Sequence, residues 1–378
     1  MNEYDPGAAR RSGPPADPST GIVPSGQPLV GPAAGREADV ARGSAGERVR
    51  DRTSGRPLSH DDYRAAVRSR MADLDRLSPL PAGAGRPVSV ASGSDGAPDP
   101  AAELVPDERL IVALDVDGTI LDVNGRVSER MMAALTRMRA YGARIVISTG
   151  RGIEAALPVA RHVGLTDGWM ICANGAITLS MDPAAPRGYE VADSVTFDPS
   201  DVIAALSSAV PDGIIAVEAL DGGFRVSRPF PDGELIEDQR VVPPQEMGSE
   251  PVTRVVLRAP GMAVEEFSAL VAGCGLYSVE YAIGWTAWLD VAPEGVTKAS
   301  ALRALAARLG TGAERVVAVG DGANDIEMIR WAGVGAVMGS APRAVRDCGD
   351  LVTGPVWHDG CAALLDAVVE RTRRRSQS

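Results

Sequence analysis

The apolar run Leu110–Leu114 ends abruptly in Asp115-Val116-Asp117-Gly118-Thr119, and no other stretch constrains the fold of this chain as tightly. A short run of Leu, Ile, Val and Ala closed by a turn reads as a strand buried on both faces, the kind found in parallel sheets covered by helices. Two carboxylates therefore sit, alternate in sequence, at the carboxyl end of a strand. In open α/β sheets that edge is where ligands bind. Neighbouring anions repel unless a cation or a shared proton compensates them. The pair suits a bound Mg²⁺ with one carboxylate left to act as nucleophile. Taken alone it reads equally well as a strand running into a solvated, Asp-rich turn.

From Arg109 onward strand-like and helix-like segments alternate, the pattern of a parallel α/β sheet. Arg144–Ser148 and Trp169–Ala173 read as the second and third strands, and Ser128–Tyr141 as the first crossover helix, stopped by Gly142. Near Leu179 the texture changes. Short strands (Ile214–Ala219, Phe224–Ser227, Arg254–Arg258, Tyr277–Tyr281, Ala287–Val291) are broken by Pro/Gly turns, with helices at Ser200–Ala209 and Val264–Gly273. Residues 180–286 are therefore expected to form an inserted α+β domain. The alternation resumes with helix Lys298–Leu309, strand Arg315–Val319, helix Ala323–Trp331 and strand Gly335–Met338. The α/β core is thus expected in two pieces, 106–179 and 287–370.

Composition limits the function. With 378 residues, 45% of them hydrophobic, two domains with sizeable cores are within reach. A net charge of −12 argues against general nucleic-acid binding, although a metal and a local Lys can reverse the sign inside a site for an anionic substrate. Cys172, Cys274, Cys348 and Cys361 have no CxxC or Cys/His spacing, so reduced thiols of a cytosolic protein are expected rather than disulfides or a zinc site. No apolar run reaches the length of a membrane span, and the N-terminus is not signal-like. A cytoplasmic protein with no membrane or nucleic-acid partner is the expectation.

Residues 1–105 are rich in Gly, Pro, Ala, Ser, Arg and Asp and are expected to be disordered, since such segments cannot bury enough surface to offset ordering. The exception is 59–77, where Tyr63, Val67, Met71 and Leu74 fall at helical spacing and Ser59 with Asp62 can cap the start. A lone helix of this length is marginal in water. It is either transient or docked, on the globular part or on an unknown partner. The Arg371–Arg375 run, within 371–378, reads as a solvated basic tail.

Three further clusters fall at strand ends or helix starts. In Ser148-Thr149-Gly150-Arg151, Thr149 and the Gly150 amide can hold a phosphoryl oxygen, or the segment is a simple helix cap. Lys298 opens a helix, where a cation opposes the dipole unless an anion faces it; by itself it also reads as a surface lysine. Gly320-Asp321-Gly322-Ala323-Asn324-Asp325 repeats the first junction. There Asp321 can supply a second metal carboxylate, Asn324 a donor to phosphate, and Asp325 an outer support for Lys298 or a metal-bound water.

Together Asp115–Thr119, Thr149-Gly150-Arg151, Lys298 and Gly320–Asp325 resemble motifs I to IV of the haloacid dehalogenase superfamily, and more closely its Cof-type phosphatases with a type IIB cap. Asn174-Gly175-Ala176, Met328, Ala336–Gly339 and Asp359-Gly360 support the resemblance, which covers roughly 109–368. Ala299-Ser300 stands where the family often has Gly after the lysine, and the first hundred residues have no family counterpart. The resemblance implies a Rossmann-like α/β core with an inserted cap. It further implies phosphoryl transfer through an aspartyl-phosphate, with Asp115 as nucleophile and Asp117 as acid/base. Mg²⁺ would be held by Asp115, Asp321 and the backbone carbonyl of Asp117. Val116 N–H, Thr149, Gly150, Lys298 and Asn324 would bind the phosphoryl oxygens of a small phosphorylated metabolite. In the cap, Glu218, Arg225, Arg228, Glu280 and Asp290 are candidate readers of the leaving group. A phosphomutase, a dedicated sugar-phosphate phosphatase, or a scaffold acting through its N-terminal segment are the alternative readings.

Overall fold

A strand made only of apolar residues has to be covered on both sides, and β1 (Ile111–Leu114) has all four residues buried. The structure, a computed structural model, describes residues 57–77, 104–218, 223–231, 234–235, 237–276, 279–283 and 286–377. The expected disorder of 1–56 and 78–103 lies outside those residues.

In chain order, α1 (His60–Leu77) precedes β1, followed by α2 (Glu129–Ala140), β2 (Arg144–Ser148), α3 (Ile153–His162), β3 (Gly168–Cys172), β4 (Ile177–Met181) and β5 (Tyr189–Ser194). A second group comprises α4 (Ser200–Ala209), β6 (Ile214–Glu218), β7 (Phe224–Val226), β8 (Gln239–Val241), β9 (Arg254–Arg258), α5 (Val264–Gly273), β10 (Val279–Ile283) and β11 (Trp288–Pro293). The chain then returns through α6 (Lys298–Arg308), β12 (Val316–Gly320), α7 (Ile326–Trp331), β13 (Val334–Val337), β14 (Leu351–Val352) and α8 (Gly360–Gln377).

The core sheet has the order β14-β13-β12-β1-β2-β3-β4-β5. β1 lies inside it, parallel to β12 on one side and β2 on the other, with Leu114 level with Val319 and Ile147. The chain leaves β1 toward β2 and β3 and later returns on the opposite side through β12. That reversal opens a crevice at the carboxyl ends of β1 and β12. Alternation divides the strand cleanly: Val112 and Leu114 pack with α2, α3 and α8, whereas Ile111 and Ala113 pack with α6 and Met328 of α7.

The smaller sheet, β10-β11-β9-β6-β7-β8, is largely antiparallel. On one face Ile215, Val217, Val255 and Leu257 pack with Leu206 of α4 and Phe267 of α5. On the other, Ile214, Ala216 and Val256 pack with Phe224, Val226 and Leu235. By the same period of two, this second face also carries Glu218, Arg254 and Asp290.

Three expectations change, and the alternative left open for the first helix is decided. β4 and β5 pair with β3 in the core sheet, so the core continues past residue 179 to 194. Strand Trp288–Pro293 pairs with β9 and β10, so the inserted sheet continues past 286. α1 is a docked part of the core: Tyr63, Met71 and Leu74 are buried in the same cluster as α8, and Tyr63 Oη donates to Asp366 at 2.7 Å. Burial of such side chains contributes roughly 2 kcal/mol each, which overcomes the marginal stability of an isolated helix. Residues 371–377 continue α8 rather than forming a solvated tail. Arg371 is 2% exposed and bonds Asp75 of α1 at 2.7 Å. No helix among the described residues is long and apolar enough to cross a membrane.

Candidate active site

The Asp115 amide donates to Val319 O at 2.9 Å, extending the β1–β12 ladder one residue beyond the strand and aiming the side chain into the crevice. The chain then turns at Gly118 (φ +83°). A Cβ there would lie 2.1 Å from Asp321 Oδ2, so glycine is required for both conformation and space. Thr119, Ile120 and Leu121 amides all point back to Val116 O, holding the turn.

Lys298 is the first residue of α6, behind a Thr297/Ser300 capping box. Its side chain is fully buried, and Nζ donates to Asp115 Oδ1 and Asp325 Oδ1, each at 2.7 Å. Two anions thus answer the unfavourable position of a cation at a helix start. Asp325 uses its other oxygen to accept from the Asp321 and Gly322 amides at 3.0 and 2.9 Å, which fixes the loop that carries Asp321. Carboxylate oxygens of Asp115, Asp321 and Asp325 lie within 4.8 Å of one another.

Crowding sets the protonation. Burial, then the charge of Asp325, pushes the Asp115 carboxyl well above the usual range against the pull of Lys298. The Asp321 carboxyl is raised to about 7, by burial first and Asp325 second. Lys298 is held as an ammonium: Asp115 and Asp325 outweigh its burial and raise it above its ordinary value. One buried cation facing three carboxyl groups leaves the cluster short of positive charge, which either a proton or a divalent cation supplies.

β2 supplies the opposite wall. Thr149 is buried, its Oγ1 accepts from the Arg151 amide at 3.1 Å, and its carbonyl accepts from the Asn174 amide. Asn174 and Ala173 adopt positive φ, and Gly175 (φ +109°) lies where a Cβ would meet Thr297 O at 2.2 Å. This close approach seats the turn against the start of α6. Asn324 Nδ2 donates to Asn174 Oδ1 at 2.8 Å. Asp117 stands apart from the three clustered carboxylates, in a bidentate pair with Arg151 (2.8 and 2.6 Å).

A cavity of about 440 Å³ connects these residues to the cap sheet; Asp115, Thr149, Asn324 and Asp321 line one side, Leu235, Glu237, Trp288 and Asp290 the other. Arg254, buried in β9, bridges the two layers. It bonds Glu218 at 3.0 Å, Asp290 at 3.2 Å and the core carbonyl of Gly150 at 2.7 Å. Of the expected cap readers, Asp290 lines the cavity, and Glu218 lies outside that lining, bonded to Arg254. Arg225 pairs with Glu250 and Arg228 with the Asp212 carbonyl, both outside the cavity lining. The Glu280 side chain lies outside the described residues. Arg254, Glu237 and Trp288 were not anticipated. The flanking arginines of Arg254-Val-Val-Leu-Arg258, on one face of a strand by period two, were the available signal.

A family model for haloacid dehalogenase-like hydrolases matches residues 112–209 and 263–365. The chain is 27% identical over 268 residues to a 5-amino-6-(5-phospho-D-ribitylamino)uracil phosphatase of Bacillus subtilis, covering 68% of this chain and 94% of that protein. It is equally similar, 27% over 257 residues, to a phosphoglycolate phosphatase of Halobacterium salinarum, covering 68% and 96%. A haloacid dehalogenase-like hydrolase from Bacteroides thetaiotaomicron shares the fold with a TM-score of 0.59 at 21% identity, covering 68% of this chain and 99% of that one. A subclass IIB sugar phosphatase does so with 0.59 at 23%, covering 68% and 98%.

Proposed function

This chain belongs to the haloacid dehalogenase-like hydrolases, and from that premise we propose that it is a Mg²⁺-dependent phosphatase, hydrolysing small phosphorylated metabolites through an aspartyl-phosphate on Asp115. The observation that carries the proposal is the cluster of Asp115, Asp321 and Asp325 around Lys298, at the carboxyl end of the central strand and on the cavity that separates it from the cap sheet. The donor set, all oxygen and short of positive charge, fits a hard divalent cation. Asp115, Asp321 and the Asp117 backbone carbonyl would hold it, with Asp325 committed to Lys298 and the loop amides. Bound Mg²⁺ would neutralise charge on the phosphoryl oxygens.

Lys298 engages Asp115 Oδ1, leaving Oδ2 to attack phosphorus as the bond to the leaving oxygen breaks. Asp117 gives its proton to that oxygen, then takes one from the water that attacks the same phosphorus, releasing phosphate and restoring Asp115. To do so it exchanges its pairing with Arg151 for the reacting groups. Val116 N–H, Thr149, Gly150, Lys298 and Asn324 would receive the phosphoryl oxygens. Uncatalysed monoester hydrolysis demands accelerations up to ~10²¹, so covalent attack, positioning and charge neutralisation act together. Asp115→Asn is expected to lower Mg²⁺-dependent hydrolysis of p-nitrophenyl phosphate by at least ~10⁴-fold with an unchanged circular dichroism spectrum. Wild-type turnover by that variant would remove Asp115 as nucleophile.

A further inference from the structure

The cap wall of the cavity presents three carboxylates, and two of them are already occupied. Glu234 spends both oxygens on Arg258, at 2.6 and 2.8 Å. Asp290 takes Arg254 on one oxygen and Trp288 Nε1 on the other, at 3.2 and 2.8 Å. Glu237 is different. It is 9% exposed, lines the cavity, and accepts no hydrogen bond among the described residues. Its Oε1 sits over Gly152 beside that of Glu218; a Cβ on Gly152 would lie 2.9 Å from the first and 2.3 Å from the second. Gly152 is the N-cap of the ten-residue helix α3 and offers no side-chain cap, so the positive end of that helix faces these carboxylate oxygens.

A carboxylate that opens onto the cavity without a protein donor takes its hydrogen bonds from water or from whatever fills the cavity. Of the guanidinium groups that line this cavity, Arg254 near Glu237 spends its hydrogen bonds on Glu218, Asp290 and Gly150 O, and Arg151 pairs with Asp117 until that acid turns to the reacting groups. What remains for Glu237 is the part of the substrate facing the cap. We propose that Glu237 is a specificity-determining residue, accepting hydrogen bonds from hydroxyl or ammonium groups of the leaving group. The site thereby selects phosphate monoesters of polyols or amino-polyols over those of carboxylated alcohols. A carboxylate on the leaving group would be placed against Glu237 and Asp290, and like charges so juxtaposed repel. The inference rests on the phosphatase reading. It also separates two relatives that sequence identity does not: a ribitylamino-bearing substrate fits this wall and phosphoglycolate does not.

The test measures kcat/KM of the full chain with Mg²⁺ on ribitol 5-phosphate, phosphoglycolate and p-nitrophenyl phosphate, for the wild type and for Glu237→Gln. The wild type is expected to favour ribitol 5-phosphate over phosphoglycolate by at least ~100-fold, because a site built around substrate hydroxyls rejects analogues that lack them. Glu237→Gln, isosteric and uncharged, is expected to shrink that ratio by ~10-fold, losing rate on the polyol ester and gaining it on phosphoglycolate. A wild type that turns over phosphoglycolate as well as ribitol 5-phosphate overturns the inference. So does a variant that slows all three esters alike, the mark of a structural role. Either result leaves the phosphatase reading intact, because p-nitrophenyl phosphate is still hydrolysed in an Asp115-dependent way. Absence of turnover on every ester removes both.

Discussion

Two buried cations sit about the cavity, each between two carboxylates, and they serve different ends. Lys298 in the core bonds Asp115 and Asp325, both at 2.7 Å; Arg254 in the cap bonds Glu218 and Asp290 at 3.0 and 3.2 Å. The lysine is a compact point charge, and its partners stand beside a third acid, Asp321, so the core cluster is left electrically incomplete. The arginine is a planar fork. Its remaining reach goes to a neutral acceptor, Gly150 O, on the loop that holds the phosphate-binding candidates. An incomplete charge cluster suits chemistry on an anion with a metal, whereas a fork ending on backbone suits the coupling of one layer to another.

The sharpest way to break this contrast is to remove each cation. Lys298→Met is expected to cost ~10³-fold in kcat, the scale of losing one preorganised donor to a developing anion, and Lys298→Arg should not restore it, because a fork cannot place one charge between two acids. Activity within tenfold of wild type would strip Lys298 of its role. Arg254→Met should act mainly on stability. Among the described residues it leaves Glu218 buried with only Thr253 Oγ1 at 3.4 Å, and breaking a buried pair in this way costs ~3 kcal/mol. Its kcat/KM should fall less than for Lys298→Met, by ~10-fold, as Gly150 loses its tie to the cap. Unfolding by urea and steady-state kinetics on the same samples would show the split; a fully stable Arg254→Met erases the contrast.

Magnesium should act on one cluster and not the other. Asp321 is raised from 3.8 to about 7, so in the metal-free protein its neutral form is favoured. That stabilisation is complete below pH ~4 and is lost as pH climbs through 7. Below 7 the metal has to displace this proton; above it the carboxylate is already available. Saturating Mg²⁺ is therefore expected to raise Tm by ~5 °C more at pH 8 than at pH 5. An equal shift at both pH values would detach the metal from Asp321.

Why the core cluster was legible and the cap cluster was not follows from where each is encoded. Asp115, Asp321 and Lys298 fall at the ends of apolar runs or starts of helices, so a local reading finds them. Glu218, Arg254 and Asp290 belong to three strands, and meet only through the register that pairs Glu218 with Arg254 and sets Asp290 opposite Val256; pairing of distant strands is not written locally. The docking of α1 is non-local in the same way. Tyr63 and Asp75 find their partners, Asp366 and Arg371, some three hundred positions away. Read without those partners, the Arg371 run is a solvated tail and the helix is marginal. The extension of the core sheet through β4 and β5 escaped because these antiparallel strands interleave polar residues (Thr178 and Ser180, Glu190 and Asp193) and lack the continuous apolar run that marks β1.

Arg225 offers the smallest and most exacting check. It lies in the same sheet as Arg254, but its register partner is Val217, which faces α4 and α5, whereas its neighbour Phe224 is paired with Glu218 on the cavity side. One residue of offset turns the side chain to the opposite face. There, among the described residues, Arg225 pairs only with Glu250, at 3.1 Å, and Glu250 is 72% exposed, so the pair contributes at most ~1 kcal/mol. Arg225→Ala is accordingly expected to leave kcat/KM within about twofold on every ester, while Arg254→Met, two strands away, does not. A tenfold loss in Arg225→Ala would mean that the two arginines share a face, and the division of this sheet into a packing side and a site side would have to be redrawn.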